Sequence, residues 1–388
     1  MENFNFDEVI PRRGTESIKW DRPEEEGVIP MWVADMDFMT APSVLKALEK
    51  RLRHGVFGYT RVPEEYFRSV SSWFSRRHGF KIDPQWILPV PGIVPALTCI
   101  VKALVKPGEK VIFQSPAYDS FYTSVTKNGC RLSLNPLIYK DNTYTIDFDD
   151  LERRAAEPDA GVMILCNPHN PSGRVWTRDE LVRVGEICLK HGLTVVADEI
   201  HCELTCPGHE YTPFASISEE FLMNSISCSS PSKAFNIAGL EIANIVVPDG
   251  ELREKVEKAL YANDQRNINS FGPDALMAAY GEGEQWLDAL REYIYSNYLY
   301  LKDFLNKNLP SYRVLPLEGT YLCWMDITAS GMKSDALAEK ILKEGKVMVN
   351  PGTMYGPGGE DFIRINIGCP EKILEEGLER ISKVLKTL

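Results

Sequence analysis

The sequence has no excess of positive charge, no apolar run of membrane-spanning length and no regular cysteine spacing. Its net charge of −12 would repel a phosphate backbone, so nucleic acid is not an expected partner. The start of the chain lacks the basic and then apolar order of a secretory signal. We therefore expect a cytoplasmic protein that has no membrane segment.

The cysteines are nine in number and scattered over 388 residues, so a disulfide framework is not expected. Several lie in apolar runs, where they would act as small core residues. One dense group of possible metal ligands does not follow a zinc spacing, and we expect no metal there. That group consists of His201, Cys202, Cys206 and His209.

The hydrophobic content of 44% is enough for one large and one smaller domain. Between about residues 90 and 250, short apolar runs alternate with amphipathic stretches, a pattern typical of an α/β fold in which helices cover a mostly parallel sheet. One predicted helix, 177–191, begins with Thr177 as a cap and Glu180 as its capping-box partner. The predicted strands are 110–113, 161–166, 193–197, 225–228 and 242–247.

The remainder of the chain predicts a smaller α+β unit. We expect residues 1–45 to pack on it and border a cleft, residues 46–280 to form the large domain, and residues 281–388 to form the small one. The predicted helices of the small unit are 284–309, 334–344 and 371–385, and its predicted strands are 312–315, 320–327, 347–349 and 362–367.

Polar residues follow four predicted strands at the point where each strand ends. Ligands of parallel sheets bind at the carboxyl ends of the strands, so these four loops are expected to lie together around one binding cleft. The loops are 114–118, 167–174, 198–201 and 229–233.

Lys233 and Asp198 indicate the chemistry of that binding cleft. A loop lysine can bind a carbonyl cofactor covalently, and a carboxylate at a strand end can hold a cationic ring nitrogen. Together they predict a pyridoxal-phosphate site. The Ser-x-x-Lys pattern alone is weak, because it also occurs in unrelated serine hydrolases.

A phosphate could be bound at Gly92, Ile93 and Val94, where backbone N–H groups at a helix start can approach an anion. A tight turn before a helix explains that segment equally well. The hydroxyl groups of Ser230 and Ser232 are further possible donors.

Three residues of the other loops can serve the same cofactor. The Tyr118 ring could stack on a pyridine, although packing is commoner for a tyrosine. Asn170 could donate to a phenolic oxygen, or its segment could be only a turn. His201 would lie near the ring, or could be a satisfied loop histidine.

Arg364 alternates with large apolar residues in the predicted strand 362–367. A buried guanidinium needs a carboxylate partner, which could be a structural Asp or Glu or the substrate itself. Spacing alone leaves both alternatives open.

These motifs resemble one group of proteins, the fold-type-I pyridoxal-phosphate enzymes, and within it the MalY/PatB-type carbon-sulfur lyases (cystathionine β-lyases). The resemblance covers nearly the whole chain, and the motifs are far more specific together than singly. They are 30–38, 57–59, 167–174, 198–201, 231–239, 319–321 and 362–366.

The resemblance implies site roles and a fold with a large pyridoxal-phosphate domain and a smaller α+β domain. It implies that Lys233 holds the cofactor covalently, that Asp198 pairs with its ring nitrogen, that Asn170 contacts its phenolic oxygen and that Tyr118 stacks on it. It also implies that Arg364 binds the substrate carboxylate.

The resemblance further implies a homodimer with shared sites, in which Tyr59 reaches the phosphate of the neighbouring subunit. Many aminotransferase relatives hold this phosphate with an arginine that follows the lysine, and here that position is Glu241. The preferred amino-acid side chain would be selected by the pocket wall, in which we place Trp32, Asp37, Tyr321 and the loop 350–359.

The predicted reaction is α,β-elimination of cystathionine or a related β-thio amino acid, giving a thiol, pyruvate and ammonia. An aminotransferase of class I/II is the nearest alternative, because it uses the same cofactor and lysine. A regulatory role in binding another protein is an alternative of a different class, although such a role would not need Lys233, Asp198 and Asn170 together.

Overall fold

The computed structural model describes residues 4–23 and 25–388; residues 1–3 and residue 24, which fall in the predicted amino-terminal segment, lie outside the described residues. The helices are α1 (Ile18–Asp21), α2 (Pro42–His54), α3 (Glu64–His78), α4 (Ile93–Leu104), α5 (Asp119–Thr126), α6 (Phe148–Ala155), α7 (Arg178–His191), α8 (Glu219–Met223), α9 (Gly250–Ala262), α10 (Gly272–Glu282), α11 (Glu284–Asn308), α12 (Ser334–Lys340) and α13 (Glu371–Leu385). The strands are β1 (Ile29–Pro30), β2 (Ile87–Val90), β3 (Lys110–Ser115), β4 (Arg131–Pro136), β5 (Ile138–Lys140), β6 (Thr143–Thr145), β7 (Ala160–Cys166), β8 (Thr194–Asp198), β9 (Ser225–Ser229), β10 (Ala243–Val246), β11 (Arg313–Val314), β12 (Leu322–Asp326), β13 (Val347–Met348), β14 (Asn350–Pro351) and β15 (Phe362–Asn366).

The main sheet has seven strands in the order β2-β10-β9-β8-β7-β3-β4. Strand β10 is antiparallel to both of its neighbours, and the pairs from β9 through β4 are parallel. The predicted α/β class and mostly parallel sheet are thereby confirmed. The sequence pattern misses β2 and β4, the two edge strands.

Helices cover both faces of this sheet, which is why central strands such as β7 and β8 are largely apolar. Along β7, Val162 and Ile164 pack toward α4 and α9, whereas Met163 and Leu165 pack toward α6 and α7. Helix α7 has the predicted capping box, in which Thr177 and Glu180 each satisfy a backbone N–H of the other. The loops at the carboxyl ends of the parallel strands are held between these two helical layers.

The second sheet has four antiparallel strands in the order β11-β12-β15-β14. The predicted helix 334–344 differs from the structure, because the α-helix ends at Lys340 and a π-helical turn follows over Ile341–Gly345. At the end of that turn, Gly345 lies against α13, where an added Cβ would be 3.3 Å from the Arg380 carbonyl oxygen.

The amino-terminal residues pack on carboxy-terminal elements. Strand β1 pairs in parallel with β13, and the Phe6 ring meets Phe38 and Trp286 edge-on. The chain then passes along the cleft at Ala34. The division of the chain at residues 45 and 280 stays a prediction. Among the described helices, none combines the length and the apolar character that a bilayer crossing requires.

Candidate active site

A cavity of about 280 Å³ opens at the carboxyl ends of β7, β8 and β9. Residues from the four loops that the sequence predicts to converge lie on its wall, as do residues to which the sequence analysis assigns no role. The residues from the predicted set are Gly92, Ile93, Val94, Tyr118, Asn170, Asp198, His201, Ser230, Ser232 and Lys233; those without an assigned role include Ala34, Cys166, Ile200, Ala238 and Ile242.

Lys233 reaches this cavity from the turn after β9. Its Nζ donates a hydrogen bond to the Ala34 carbonyl oxygen over 2.8 Å. Burial, helped by the positive charge of Arg364, lowers the pKa of the Lys233 amine to about 8, against the opposing effect of Asp35 and Asp198. About one tenth of this amine is therefore neutral and nucleophilic at pH 7, far more than for an amine with the ordinary lysine value.

Asp198 is the last residue of β8, and its side chain is buried. Burial raises the pKa of its carboxyl group to about 6, although the Ile200 N–H donates to Oδ1 and Lys233 is nearby. A buried carboxylate gains most from a cationic partner. A protonated ring nitrogen in the cavity would be such a partner.

Arg364 lies on β15 with its guanidinium group buried. Nη1 donates to the Asn170 side-chain oxygen over 3.0 Å and Nη2 donates to the Trp32 carbonyl oxygen over 2.7 Å. Among the described residues, nothing accepts a hydrogen bond from its Nε and no Asp or Glu forms an ion pair with it. Of the two alternatives left open by the spacing, this arrangement favours a carboxylate brought by the substrate.

His201 is buried beside the same wall, and its Nδ1 has no hydrogen-bond partner among the described residues. Burial, together with the charges of Lys233 and Arg364, lowers the pKa of this imidazole to about 3, so the ring is neutral. Its centroid lies 6.3 Å from that of Tyr321. The Tyr321 hydroxyl donates to the Ala34 carbonyl oxygen over 2.8 Å, the same oxygen that Lys233 contacts.

The start of α4, where the sequence predicts phosphate binding, lies on the cavity wall, and Gly92 precedes its first helical residue. An added Cβ at Gly92 would make ordinary contact with Pro95, at 3.5 Å, so the chain itself does not require glycine there. The Ser230 hydroxyl donates to the Ile242 carbonyl oxygen and accepts from the Ser232 N–H. Glu241 lies on the same wall, where a carboxylate would repel a phosphate.

Two predicted tyrosines differ in their placement. Tyr118 lies on the cavity wall directly before α5, and burial raises the pKa of its hydroxyl. Tyr59 is fully exposed at 107% and is not among the residues of the cavity wall. Trp32 and Asp37 are buried within the amino-terminal segment. Both are likewise absent from that wall, as are Tyr321, the loop 350–359 and Arg364.

The cysteine and histidine group of residues 201–209 is divided by the fold. His201 faces the cavity, whereas Cys202 lies with His78 and Glu203 on the far side. Glu203 already accepts hydrogen bonds from Trp73 and His78 and pairs with Arg77. The expectation about metal at this group stays a prediction.

The cavity offers the groups that pyridoxal phosphate requires. The Lys233 amine suits an aldehyde, the Asp198 carboxylate suits a ring nitrogen, and the start of α4 suits a phosphate. His201 on the cavity wall adds a buried Nδ1 without a partner, and Arg364, which is bonded to Asn170 of that wall, adds a buried Nε without one among the described residues. The sheet and this pocket together define a pyridoxal-phosphate enzyme of fold type I.

The chain belongs to the aminotransferase class I and II family, whose model matches residues 26–381. It is 46% identical to the cystathionine β-lyase PatB of Bacillus subtilis over 98% of this chain and all of PatB. It is 32% identical to the MalY protein of Escherichia coli over 99% of this chain and all of MalY. The crystal structure of cystalysin from Treponema denticola, which contains a pyridoxal 5'-phosphate cofactor, superposes with a TM-score of 0.97 at 36% identity and covers both chains completely.

Proposed function

We propose that this protein is a pyridoxal-phosphate-dependent carbon-sulfur β-lyase that acts on L-cystathionine or a related β-thio amino acid. The observation that carries the proposal is the likeness to PatB along the whole chain, together with a pocket that holds a reactive lysine. Behind Asn170 on the pocket wall lies Arg364, whose buried Nε has no hydrogen-bond partner among the described residues. The products are a thiol, pyruvate and ammonia.

In the proposed reaction Lys233 transfers a proton and Asp198 binds the ring nitrogen of the cofactor. When bound, pyridoxal phosphate supplies a protonated ring that accepts the electron pair left by removal of the α proton. The neutral Lys233 amine takes that proton, and Asp198 keeps the ring nitrogen protonated. The Cβ–S bond then breaks with its electron pair on sulfur, which is protonated to the thiol. The remaining fragment is released and hydrolyses to pyruvate and ammonia.

Arg364 orients the substrate for this reaction. Its free Nε donates to the substrate carboxylate, while Nη1 holds the oxygen of Asn170. The amide N–H groups of Asn170 are then directed toward the phenolic oxygen of the cofactor. Tyr118 stacks on the ring, His201 lies beside it as a neutral donor or acceptor, and Tyr321 borders the substrate.

A homodimer with shared sites supplies a further donor to the proposed phosphate site. Tyr59 lies in a segment between α2 and α3 whose apolar side chains are exposed, with Val56 at 65% and Phe57 at 50%. A second copy covers these side chains, and its Tyr59 donates to the phosphate at the start of α4. This donor offsets the lack of an arginine at Glu241. The cytoplasm is the proposed location.

The decisive test is turnover of cystathionine without any keto acid. Pyruvate and thiol formed over many turnovers support the lyase, whereas turnover that begins only after a keto acid is added identifies an aminotransferase. Lys233→Ala should lose both the yellow cofactor absorbance and pyruvate formation. Lys255→Ala, at an exposed position on α9, is the matched control and should retain both.

A purified protein that holds no pyridoxal phosphate and gives no spectral response to added cofactor would refute the enzymatic proposal. That outcome would instead favour the regulatory, protein-binding alternative. A panel of β-substituted cysteines then identifies the preferred leaving group, which depends on the shape of the pocket wall.

A further inference from the structure

The Ala34 carbonyl oxygen accepts hydrogen bonds from two functional side chains, Lys233 Nζ and the Tyr321 hydroxyl, each over 2.8 Å. Ala34 belongs to residues 32–38, which have no helix or strand of their own and are here named the bridging segment. Because a backbone oxygen moves only with its chain, whatever fixes this segment also fixes the position offered to the lysine amine.

One side of the bridging segment is held by β15. The Asn366 amide donates to the carbonyl oxygens of Val33 and Asp35, on either side of Ala34. The Asn366 oxygen accepts from the Gly368 N–H, and the Gly368 carbonyl accepts from the Asp37 N–H. These contacts hold the carbonyl groups on either side of Ala34, while the Ala34 oxygen itself is left to accept from Lys233 and Tyr321.

The other side is held by Asn236, which follows Lys233 in the same turn. Its amide nitrogen donates to the Met36 and Phe38 carbonyl oxygens over 2.9 and 2.8 Å. Its side-chain oxygen accepts from the Met36 N–H over 2.9 Å. The turn that carries Lys233 is therefore joined to the bridging segment twice, once through the lysine amine and once through this amide.

Asn236 adopts a left-handed backbone conformation, with φ at 54°. Few residues besides glycine tolerate this region, and asparagine is one of them. The conformation turns the Asn236 side chain back across the bridging segment while Lys233 points into the cavity. Glycine could keep this backbone but could make none of the three hydrogen bonds.

We propose that Asn236 is a positioning residue: it clamps the bridging segment to the Lys233 turn, and the Ala34 carbonyl then holds the lysine amine whenever that amine is not bonded to the cofactor. This inference rests on the proposed function and adds to it a residue that lies outside the pocket wall. The held amine faces the cofactor before loading, and it faces the substrate α carbon while it carries the proton.

The test is the rate at which pyridoxal phosphate recombines with the full-length protein after the cofactor has been removed, followed by absorbance. Asn236→Gly should slow recombination about tenfold, because the loss of a clamp of three hydrogen bonds leaves the amine poorly placed. Amide hydrogen exchange in residues 33–38 should rise in the same variant. In the reloaded enzyme, kcat should fall by a larger factor than KM for cystathionine rises, because Arg364 loses at most its contact with Trp32 and keeps the one with Asn170.

Asn142→Gly is the matched control, since Asn142 has φ at 59° in the turn between β5 and β6 and also donates from its side chain to a backbone carbonyl. It should recombine at the wild-type rate. If Asn236→Gly does not fold, Asn236→Asp keeps the acceptor for the Met36 N–H and loses both donors, with the same expected slowing.

A recombination rate within twofold of wild type in a folded variant would overturn the inference, whether or not exchange in residues 33–38 rises. Unchanged exchange in that segment would overturn it as well, because the clamp would then hold nothing. These outcomes are distinct from failure of the proposed function, in which the wild-type protein itself would not bind pyridoxal phosphate or would not cleave cystathionine.

Discussion

Arg364 fixes the direction of the Asn170 amide. Because guanidinium Nη1 can only donate, the atom of Asn170 that it contacts at 3.0 Å is the oxygen, and the amide nitrogen must lie on the other side of the group. The residue proposed to bind the substrate carboxylate thus also orients the residue proposed to contact the cofactor. One strand, β15, thereby serves both ligands.

Arg364→Gln should raise KM for cystathionine about 10- to 100-fold, because a charge-assisted hydrogen bond to the carboxylate is lost. Arg364→Lys keeps the charge but loses the planar fork, and it should fall between Gln and wild type. Steady-state kinetics check this. Arg313→Gln, at an exposed position on the same sheet, should leave KM unchanged. An unchanged KM in Arg364→Gln would exclude the arginine from carboxylate binding.

Recombination of the cofactor-free protein with pyridoxal phosphate should accelerate as pH rises through about 8. The pKa of the buried Lys233 amine is lowered to about 8, and only the neutral amine attacks an aldehyde. The rate should therefore fall about tenfold per pH unit below that value and level off above it. A profile whose midpoint lies near 10.5, the ordinary lysine value, would contradict the proposed environment.

Asp198→Asn should abolish most lyase activity and yet stabilise the cofactor-free protein above pH 6. The folded-state pKa of Asp198 is raised to about 6, so the wild-type protein becomes less stable as pH rises from about 4 to about 6 and the carboxyl group ionises. Asparagine does not ionise, so the free energy of unfolding of Asp198→Asn should exceed that of the wild-type protein by about 3 kcal/mol at pH 8. Urea unfolding at pH 4 and pH 8 measures it. An equal difference at both pH values would contradict the assignment.

Mixed dimers test whether Tyr59 acts across the subunit boundary. Tyr59→Phe and Lys233→Ala chains, each poorly active alone, should regain activity when they are coexpressed, because one site of each heterodimer combines an intact lysine with an intact partner tyrosine. A statistical mixture would restore about one quarter of the sites. Differently tagged chains allow the heterodimer to be purified. Activity no higher than that of the separate variants would place Tyr59 outside the partner's site.

Gly185 of α7 should not tolerate a side chain, since an added Cβ would lie 2.2 Å from the Phe221 ring. Gly185→Ala should lower the free energy of unfolding by about 1 to 3 kcal/mol through overpacking. Gly281 of α10 has nothing within 4 Å of the added atom, so Gly281→Ala should raise that free energy by about 0.5 to 1 kcal/mol. Urea titration compares the two.

The strands that sequence patterns predict are those buried on both faces. Strand β7 is a continuous apolar run, whereas the missed edge strand β2 contains Pro89 and the missed edge strand β4 alternates leucine with the polar residues Arg131, Ser133 and Asn135. An edge strand is covered less completely, so its hydrophobic pattern is weaker. The same reasoning accounts for the last helix, whose predicted bounds, 371–385, agree with α13 because its apolar face packs on the small sheet.

The candidate site was predictable where side-chain chemistry carries the signal, as at Lys233, Asp198 and Arg364. The hydrogen bond from Lys233 to the Ala34 carbonyl could not be predicted, because every residue has a backbone oxygen and the residue type gives no indication of its partner. Asn236 lies in the quoted motif 231–239, but its role could not be predicted, since its partners are backbone groups from a distant part of the chain. The assigned roles themselves stay predictions until the variants are measured.

All nine cysteines lie in the described part of the chain, and each is free and buried. Burial raises the pKa of thiols such as Cys166 and Cys188, which keeps them protonated and unreactive. An enzyme that releases thiols is exposed to them in every turnover. Oxidised forms of such thiols form mixed disulfides with accessible cysteines. Eight of the nine cysteines lie away from the cavity wall, and burial keeps the thiol of Cys166, the one on it, protonated, which limits modification of the protein by the compounds it releases.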